Sequence, residues 1–503
     1  MSTTVDRTQA GVRVLDNFIG GQWVPSLSGQ TLDVTNPATG EVLCRVPLSS
    51  KADLEAAVTA ARAALPAWRR RSVIDRARWL YGFRQALEAR TDELAACVTR
   101  EMGKTFPDAQ SEVARMIEMV EAATAVPQTM QGRILEGVAT NVDCETIRQP
   151  VGVVAAITPF NVPAMVPMWF LPFAIACGNT FILKPSEQVP MTQQIVFEIA
   201  NELGLPPGVI NLVNGGVDVV NAILDSPGIG AVSFVGSAKI ARYVYERGAA
   251  NGKRVQALGG AKNHMLVLPD AVMDKTADNI ISSSFGAAGQ RCMAGSVVVT
   301  VAGAWQQLKP ELLSRAESLK VGNGMDAGIG VGPVVSKQAQ ARILGMIDQA
   351  VADGATPVLD GRTAAAGDPD GAYVGPTILE NVQPGSQAAC EEIFGPVLSI
   401  IEVDSLDDAI ALVNTSNYGN GTSIFTESGA AVRRYRSEVE VGMIGVNVGV
   451  AAPVAFFPFT GWKDSFLGDM HAHGTDAVDF FTKKKTITSR YFSAGPSGKF
   501  FVE

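Results

Sequence analysis

Residues 151–157 read VGVVAAI, and four runs of the same kind follow: TFILK at 180–184, VINLV at 209–213, AVSFV at 231–235 and RVQAL at 254–258. Each is short and aliphatic or β-branched, without the strict alternation of a strand that has one wet face. Between them lie helical stretches such as 192–203 and 239–248. This rhythm predicts an α/β fold with a parallel sheet covered by helices on both faces. Ligands of such sheets bind beyond the carboxyl ends of the strands. After about Gly260 a second alternating unit begins, with VVVTV at 297–301 and helices over 306–319 and 338–353. The turn-rich stretch GRTAAAGDPDGAYVGP at 361–376 reads as a surface excursion.

Upstream, the first 50 residues look like short strands and turns. Ser50 and Asp53 have the spacing of a capping box, with Asp in place of Glu. Leu54, Val58, Ala61 and Leu65 then share one helical face, and Pro66 is expected to stop that helix. A longer helix is expected over 73–100, striped by Leu80, Phe83, Leu87 and Leu94. Glu101-Met102-Gly103-Lys104 makes a break, and another helix follows over 106–125. Residues 132–150 and the distant segment TKKKTITSRYF (482–492) have strand character. The two could pair as an edge sheet that invites another subunit, or stand as independent surface strands.

The 503 residues exceed one ordinary core and imply two or three domains. A net charge of -9 argues against nucleic-acid and anionic-membrane partners. Residues 149–183 carry no charge, but Pro159, Pro163, Pro167 and Pro172 interrupt them, so no membrane span is expected. The N-terminus has no apolar core of signal-peptide length. Six cysteines without a CxxC pair suggest neither a disulfide scaffold nor a metal site, and point to a reducing cytoplasm.

Within GAAGQRCMAG (286–295), Cys292 stands among small residues that let backbone approach the sulfur, and next to Arg291, which favours a thiolate. It reads either as a nucleophile or as a small buried hydrophobe. No GxGxxG is present, so a nucleotide site must be built from strand ends. TFILK closes into Lys184-Pro185-Ser186-Glu187, whose carboxylate can accept ribose hydroxyls and would repel a 2′-phosphate. AVSFV closes into Gly236-Ser237 before a helix, which offers either N–H groups to a pyrophosphate or an ordinary cap. VGVVAAI closes into Thr158-Pro159-Phe160-Asn161.

TPFNVP, GNTFILKPSE, SFVGS, GQRC and EEIFGPV, in this order, resemble the motif series of the NAD(P)-dependent aldehyde dehydrogenase superfamily, over residues 16 to 490 or so. VQALGGAKNH, GQRCMA, AAPVAFFPFTGWKDSF and DAVDFFTKKKTITSR resemble its CoA-acylating methylmalonate-semialdehyde (malonate-semialdehyde) dehydrogenase branch. The resemblance implies a Rossmann-like cofactor domain (1–131 and 151–258), an α/β catalytic domain (259–446) and a small β oligomerisation ribbon (132–150 and 480–492). It also implies a homodimer or homotetramer, and valine, inositol and β-alanine breakdown all fit it.

Carried over by motif, Cys292 is the nucleophile and Asn161 an oxyanion partner. Lys184 and Glu187 contact the adenosine ribose of NAD, Ser237 its pyrophosphate, and Glu392 the nicotinamide ribose. Thr158, Phe160, Gln188, Gly259 and Phe394 complete the cofactor contacts. Arg115 and Arg291 would hold a substrate carboxylate, whereas His264 is expected to be structural. Where hydrolytic relatives carry the glutamate of E-L-G-G, this chain has Ala257-Leu258-Gly259-Gly260. Alanine takes no proton, so the acyl group is expected to pass to the thiol of CoA, which is far more acidic than water. Three rivals remain: a hydrolytic semialdehyde dehydrogenase with a displaced base, a cysteine hydrolase, and a binding protein on the same scaffold. A cysteine hydrolase needs a histidine partner, and only His264, His471 and His473 exist.

Overall fold

A computed structural model describes residues 8, 9, 11–363 and 368–492. The five runs form five adjacent parallel strands of an eight-stranded sheet: Arg254–Leu258, Ala231–Val235, Val153–Ile157, Thr180–Lys184 and Ile210–Leu212, in that spatial order. Antiparallel additions close the edges, Asn17–Ile19 and Gln22–Val24 on one side and Phe466–Leu467 on the other. Their aliphatic character follows from burial on both faces. Val154, Ala156, Phe181 and Leu183 face one core, and Val153, Ala155, Ile157 and Ile182 the other.

Chain order reverses between Val153–Ile157 and Ala231–Val235, because the later strand returns to the far side of the earlier one. That reversal leaves a crevice beyond their carboxyl ends. A second, seven-stranded sheet holds Asn263–Val267, Gly295–Val301, Val397–Val403 and Gly421–Phe425 around its own core. A third sheet joins Arg133–Ala139 and Val142–Pro150 to Thr482–Arg490, in register from Thr482 opposite Pro150 to Arg490 opposite Val142. The two distant strand-like segments therefore pair.

Two helices depart from the sequence expectation. Pro66 does not stop the first, which runs Lys51–Arg70 from a capping box of Ser50 and Asp53. Proline removes one N–H, whereas continuation buries Trp68, whose indole N–H donates to Ile175 O at 3.0 Å. The helix expected over 73–100 is two, Val73–Ala89 and Thr91–Met102, because Arg90 leaves helical geometry at φ -115° and ψ 23°. The bend turns Leu94, Ala95 and Val98 into the same core as Leu80 and Phe83. Of the turn-rich stretch at 361–376, residues 364–367 lie outside the described residues. No helix among the described residues is long and apolar enough to cross a membrane.

Asn179, fully buried, ties the ribbon to the cofactor sheet. Its Oδ1 accepts Gly152 N–H at 2.9 Å, and its Nδ2 donates to Ala174 O at 3.0 Å and Phe481 O at 2.9 Å. Asn179→Ala leaves buried polar groups unpaired, so a loss of roughly 3 kcal/mol is expected. It should appear as a lower urea midpoint by circular dichroism, with the native spectrum kept in buffer.

Candidate active site

The crevice at the strand reversal is a cavity of about 620 Å³. Thr158, Phe160, Asn161, Lys184, Glu187, Gln188, Ser237, Gly259, Cys292, Glu392 and Phe394 all line it. The strand ends decide this: Val153–Ile157 delivers Thr158 to Asn161, Thr180–Lys184 delivers Lys184 to Gln188, and Ala231–Val235 delivers Ser237. Lys184 Nζ meets Glu187 Oε2 at 2.7 Å. Burial pushes the Glu187 carboxyl up, but the neighbouring ammonium more than offsets this and holds it below its ordinary value. Ser237 precedes the helix Ala238–Ala250 without capping it through its hydroxyl, so the first N–H groups of that helix remain available to an anion. Phe160 and Phe394 meet edge to face, ring centroids 5.7 Å apart.

Glu392 comes from the second sheet's side. Its Oε1 accepts Ala261 N–H at 3.1 Å, and burial drives its carboxyl up to about 7 despite that bond and nearby Lys262 and Arg342.

Cys292 follows a strained turn. Ala287 and Ala288 have φ of 51° and 52°, a region that only glycine enters freely, and Gly289 has φ 69°. A Cβ on Gly289 would stand 2.1 Å from Gly395 O, so that position accepts no side chain. The turn brings Cys292 and Asn161 to the boundary between the first cavity and a second, of about 340 Å³. They are the two residues that line both. Asn161 Nδ2 donates to Gln290 O at 3.0 Å, which orients the amide beside the cysteine loop.

Arg291 favours the Cys292 thiolate as expected, but as the smallest of the groups that act on it. Burial pushes the Cys292 thiol up to about 12, and Glu392 adds to this. Opposing them are first the backbone N–H groups of Cys292 and Met293, and only then Arg291. The physical reason is that Arg291 Nη2 is paired with Asp108 Oδ1 at 2.7 Å. Asp108, in turn, accepts Ala287 N–H at 2.9 Å and so also supports the strained turn.

Arg115 and Arg291 both line the second cavity, with Trp169, Phe459 and His473. Arg115 Nη1 is paired with Glu118 Oε2 at 2.6 Å. Each guanidinium has five N–H groups, and Arg115 gives Glu118 one nitrogen. Lys104, Arg115 and Arg291 at this cavity are each paired with an acid, beside an apolar wall. His264 lies at neither of these two cavities, and burial drives its imidazole down to about 4, consistent with the structural role expected of it. Ala257 is fully buried in strand Arg254–Leu258, and no acid stands at that position.

Sequence inspection missed the support behind Asn161. Lys104, in what read only as a helix break, forms a buried ion pair with Glu112 and donates from Nζ to Asn161 O at 2.8 Å. Glu112 Oε1 accepts Ala164 N–H at 2.7 Å and Met165 N–H at 3.2 Å. The pair thus grips the segment carrying Asn161 at both ends. No local pattern signals this, because the partners are 57 and 52 residues away.

The fold thus sets a cysteine and an amide between the crevice at the strand reversal and a second pocket. The chain belongs to the aldehyde dehydrogenase family, whose model matches residues 23–487. It is 51% identical over 479 residues to malonate-semialdehyde dehydrogenase 3 of Geobacillus kaustophilus (strain HTA426), covering 95% of this chain and 99% of that protein. Among solved structures it resembles a Sinorhizobium meliloti 1021 protein assigned as a methylmalonate-semialdehyde dehydrogenase and complexed with NAD. There the TM-score is 0.95 and the identity 44%, over 97% of this chain and 100% of that one. It is equally similar to the methylmalonate-semialdehyde dehydrogenase of Oceanimonas doudoroffii, with TM-score 0.95 and 44% identity over 96% and 100% of the two chains.

Breaking the Lys104–Glu112 pair leaves a buried ammonium uncompensated. Glu112→Ala is therefore expected to cost about 3–5 kcal/mol, measured as a fall in the urea unfolding midpoint. Glu392 gives a pH test. Its native carboxyl keeps its proton up to about 7, against 4.5 ordinarily, so between those values the native state binds more protons than the unfolded chain. Stability from this group falls as pH rises through that window. Glu392→Gln should lose less stability than the parent between pH 4.5 and 7.5, read from urea midpoints at both.

Proposed function

We propose that this chain is an NAD-dependent, CoA-acylating dehydrogenase of malonate or methylmalonate semialdehyde. The observation that carries the proposal is the junction of the two cavities at Cys292 and Asn161, with Arg115 and Arg291 in the second. The first cavity suits NAD. Thr158 Oγ1 is buried in it without a partner, and the N–H groups beyond Ser237, the Lys184–Glu187 pair and Glu392 supply anion and ribose contacts. Phe160, Gln188, Gly259 and Phe394 complete its walls. Bound there, the dinucleotide supplies the hydride acceptor.

The residues of the chain then divide the work. Arg115 and Arg291 hold the substrate carboxylate and aim the aldehyde at the sulfur. Cys292 Sγ, as thiolate, attacks the aldehyde carbon. Asn161 Nδ2 and the Cys292 N–H stabilise the oxyanion. Loss of hydride from the adduct carbon leaves a thioester on Cys292. The β-carboxylate next to that carbonyl departs as carbon dioxide, its electron pair passing into an enolate that is protonated at carbon. The CoA thiol attacks the remaining acyl carbonyl, and the Cys292 thiolate leaves, giving acetyl-CoA or propionyl-CoA. With alanine at 257, deprotonation of a water has no carboxylate there to assist it.

The domain bounds proposed are 1–131 and 151–258 for the cofactor unit and 259–446 for the catalytic unit, with 132–150 and 480–492 as the ribbon. The exposed edge strand Arg133–Ala139, with Ile134 and Leu135 each 65% exposed, supports assembly into a homodimer or homotetramer. Six free cysteines are in keeping with a cytoplasmic location.

Steady NADH formation from either semialdehyde is expected only with CoA. Equal steady turnover to a free acid without CoA would overturn the acylating step. Arg115→Ala should raise KM for the semialdehyde about tenfold or more while leaving KM for uncharged propionaldehyde unchanged.

A further inference from the structure

The carbonyl oxygen of Cys292 accepts two side-chain amides, Asn263 Nδ2 at 2.8 Å and Asn420 Nδ2 at 3.0 Å. They arrive from neighbouring parallel strands: Asn263 opens Asn263–Val267, and Asn420 immediately precedes Gly421–Phe425. Both are buried, at 5% and 6% exposure. Asn263 is itself fixed, its Oδ1 accepting Gly421 N–H at 3.1 Å and its Nδ2 also reaching Ala294 O at 3.0 Å. Asn420 Nδ2 also meets Met293 Sδ at 3.1 Å. A carbonyl oxygen carries two lone pairs, and the two amides fill both.

The peptide they grip is Cys292–Met293; of the two backbone N–H groups that favour the Cys292 thiolate, that of Cys292 itself comes first and that of Met293, which belongs to this peptide, second. A peptide is conjugated, so donors on its oxygen withdraw electron density from its nitrogen and make the N–H a stronger donor. The sulfur needs such help. Burial and Glu392 both oppose the thiolate, and Arg291, the cation that favours it, is engaged by Asp108.

We propose that Asn263 and Asn420 are positioning residues that hold and polarise the Cys292–Met293 peptide, so that its N–H stabilises the Cys292 thiolate. This rests on Cys292 being the nucleophile. The pair acts through the backbone and touches no substrate.

The test is the rate of Cys292 alkylation against pH, from 6 to 10, on the full-length enzyme without substrate. The Cys292 peptide is quantified by mass spectrometry. Iodoacetamide and the smaller methyl methanethiosulfonate are both used. Asn420→Leu keeps the volume and removes the donor, and Asn263→Ala removes the other. Far-ultraviolet circular dichroism selects the folded variant, and either variant alone decides the matter. The expected result is a profile displaced to higher pH by about half to one unit, a three- to tenfold slower reaction at any fixed pH. The displacement should be equal for both reagents, because it reflects thiolate fraction. Profiles that superimpose on the parent, or a loss confined to the bulkier reagent, mean that the amides only shape the loop, and overturn the proposal. A parent enzyme whose Cys292 stays unmodified at every pH instead overturns the nucleophile reading beneath it.

Discussion

The surroundings of the Cys292 thiol, at the junction of two cavities, set the terms for this molecule. Burial first and the Glu392 carboxyl second raise the Cys292 thiol to about 12. A surface cation would be the simplest remedy, but the adjacent guanidinium faces Asp108. What opposes the penalty most is backbone N–H. Backbone donors act only where the chain is held in one conformation, and that conformation here is costly: two alanines with positive φ ahead of the cysteine. Much of the surrounding structure can be understood as keeping that turn in place.

Support comes from three directions. Asp108, at the start of the helix Phe106–Ala123, accepts Ala287 N–H and Arg291 together. Gly395, just ahead of strand Val397–Val403, packs its carbonyl where Gly289 has no side chain. Asn263 and Asn420 take the Cys292 carbonyl from the far side. The backbone of the segment that carries Asn161 is anchored by the Lys104–Glu112 pair. Buried pairs of this kind seldom add stability relative to an apolar filling, because desolvation consumes much of the Coulomb gain. Their worth here is directional, since each charge also bonds a backbone group of the segment that carries Asn161.

How much was legible varied with the range of the physics involved. Strand rhythm, aliphatic composition and the motifs at strand ends are local, and each cofactor-cavity residue named from them lines that cavity. Helix boundaries were less legible. Pro66 is a stop signal by its own chemistry, yet the burial of Trp68 outweighs one lost hydrogen bond. The split at Arg90 has no strong breaker in the sequence, because the second core-facing stripe decides it. Lys104 carried no signal at all.

The sequence by itself determined the α/β architecture, the strand ends and cysteine loop whose residues line one cavity, and the absence of an acid at 257. Those features are written in residue type and short spacing, which the chain carries wherever it goes. Only the tertiary structure decided which charges are spent on one another. Arg291 meets Asp108 across 183 positions, and Asn420 reaches Cys292 across 128. Coulomb and hydrogen-bond energies depend on distance in space, which chain spacing does not fix. Arg291 is therefore a neighbour of Cys292 by its place in the chain, and by the fold a partner of Asp108 as well, which leaves it the smallest influence on the thiol.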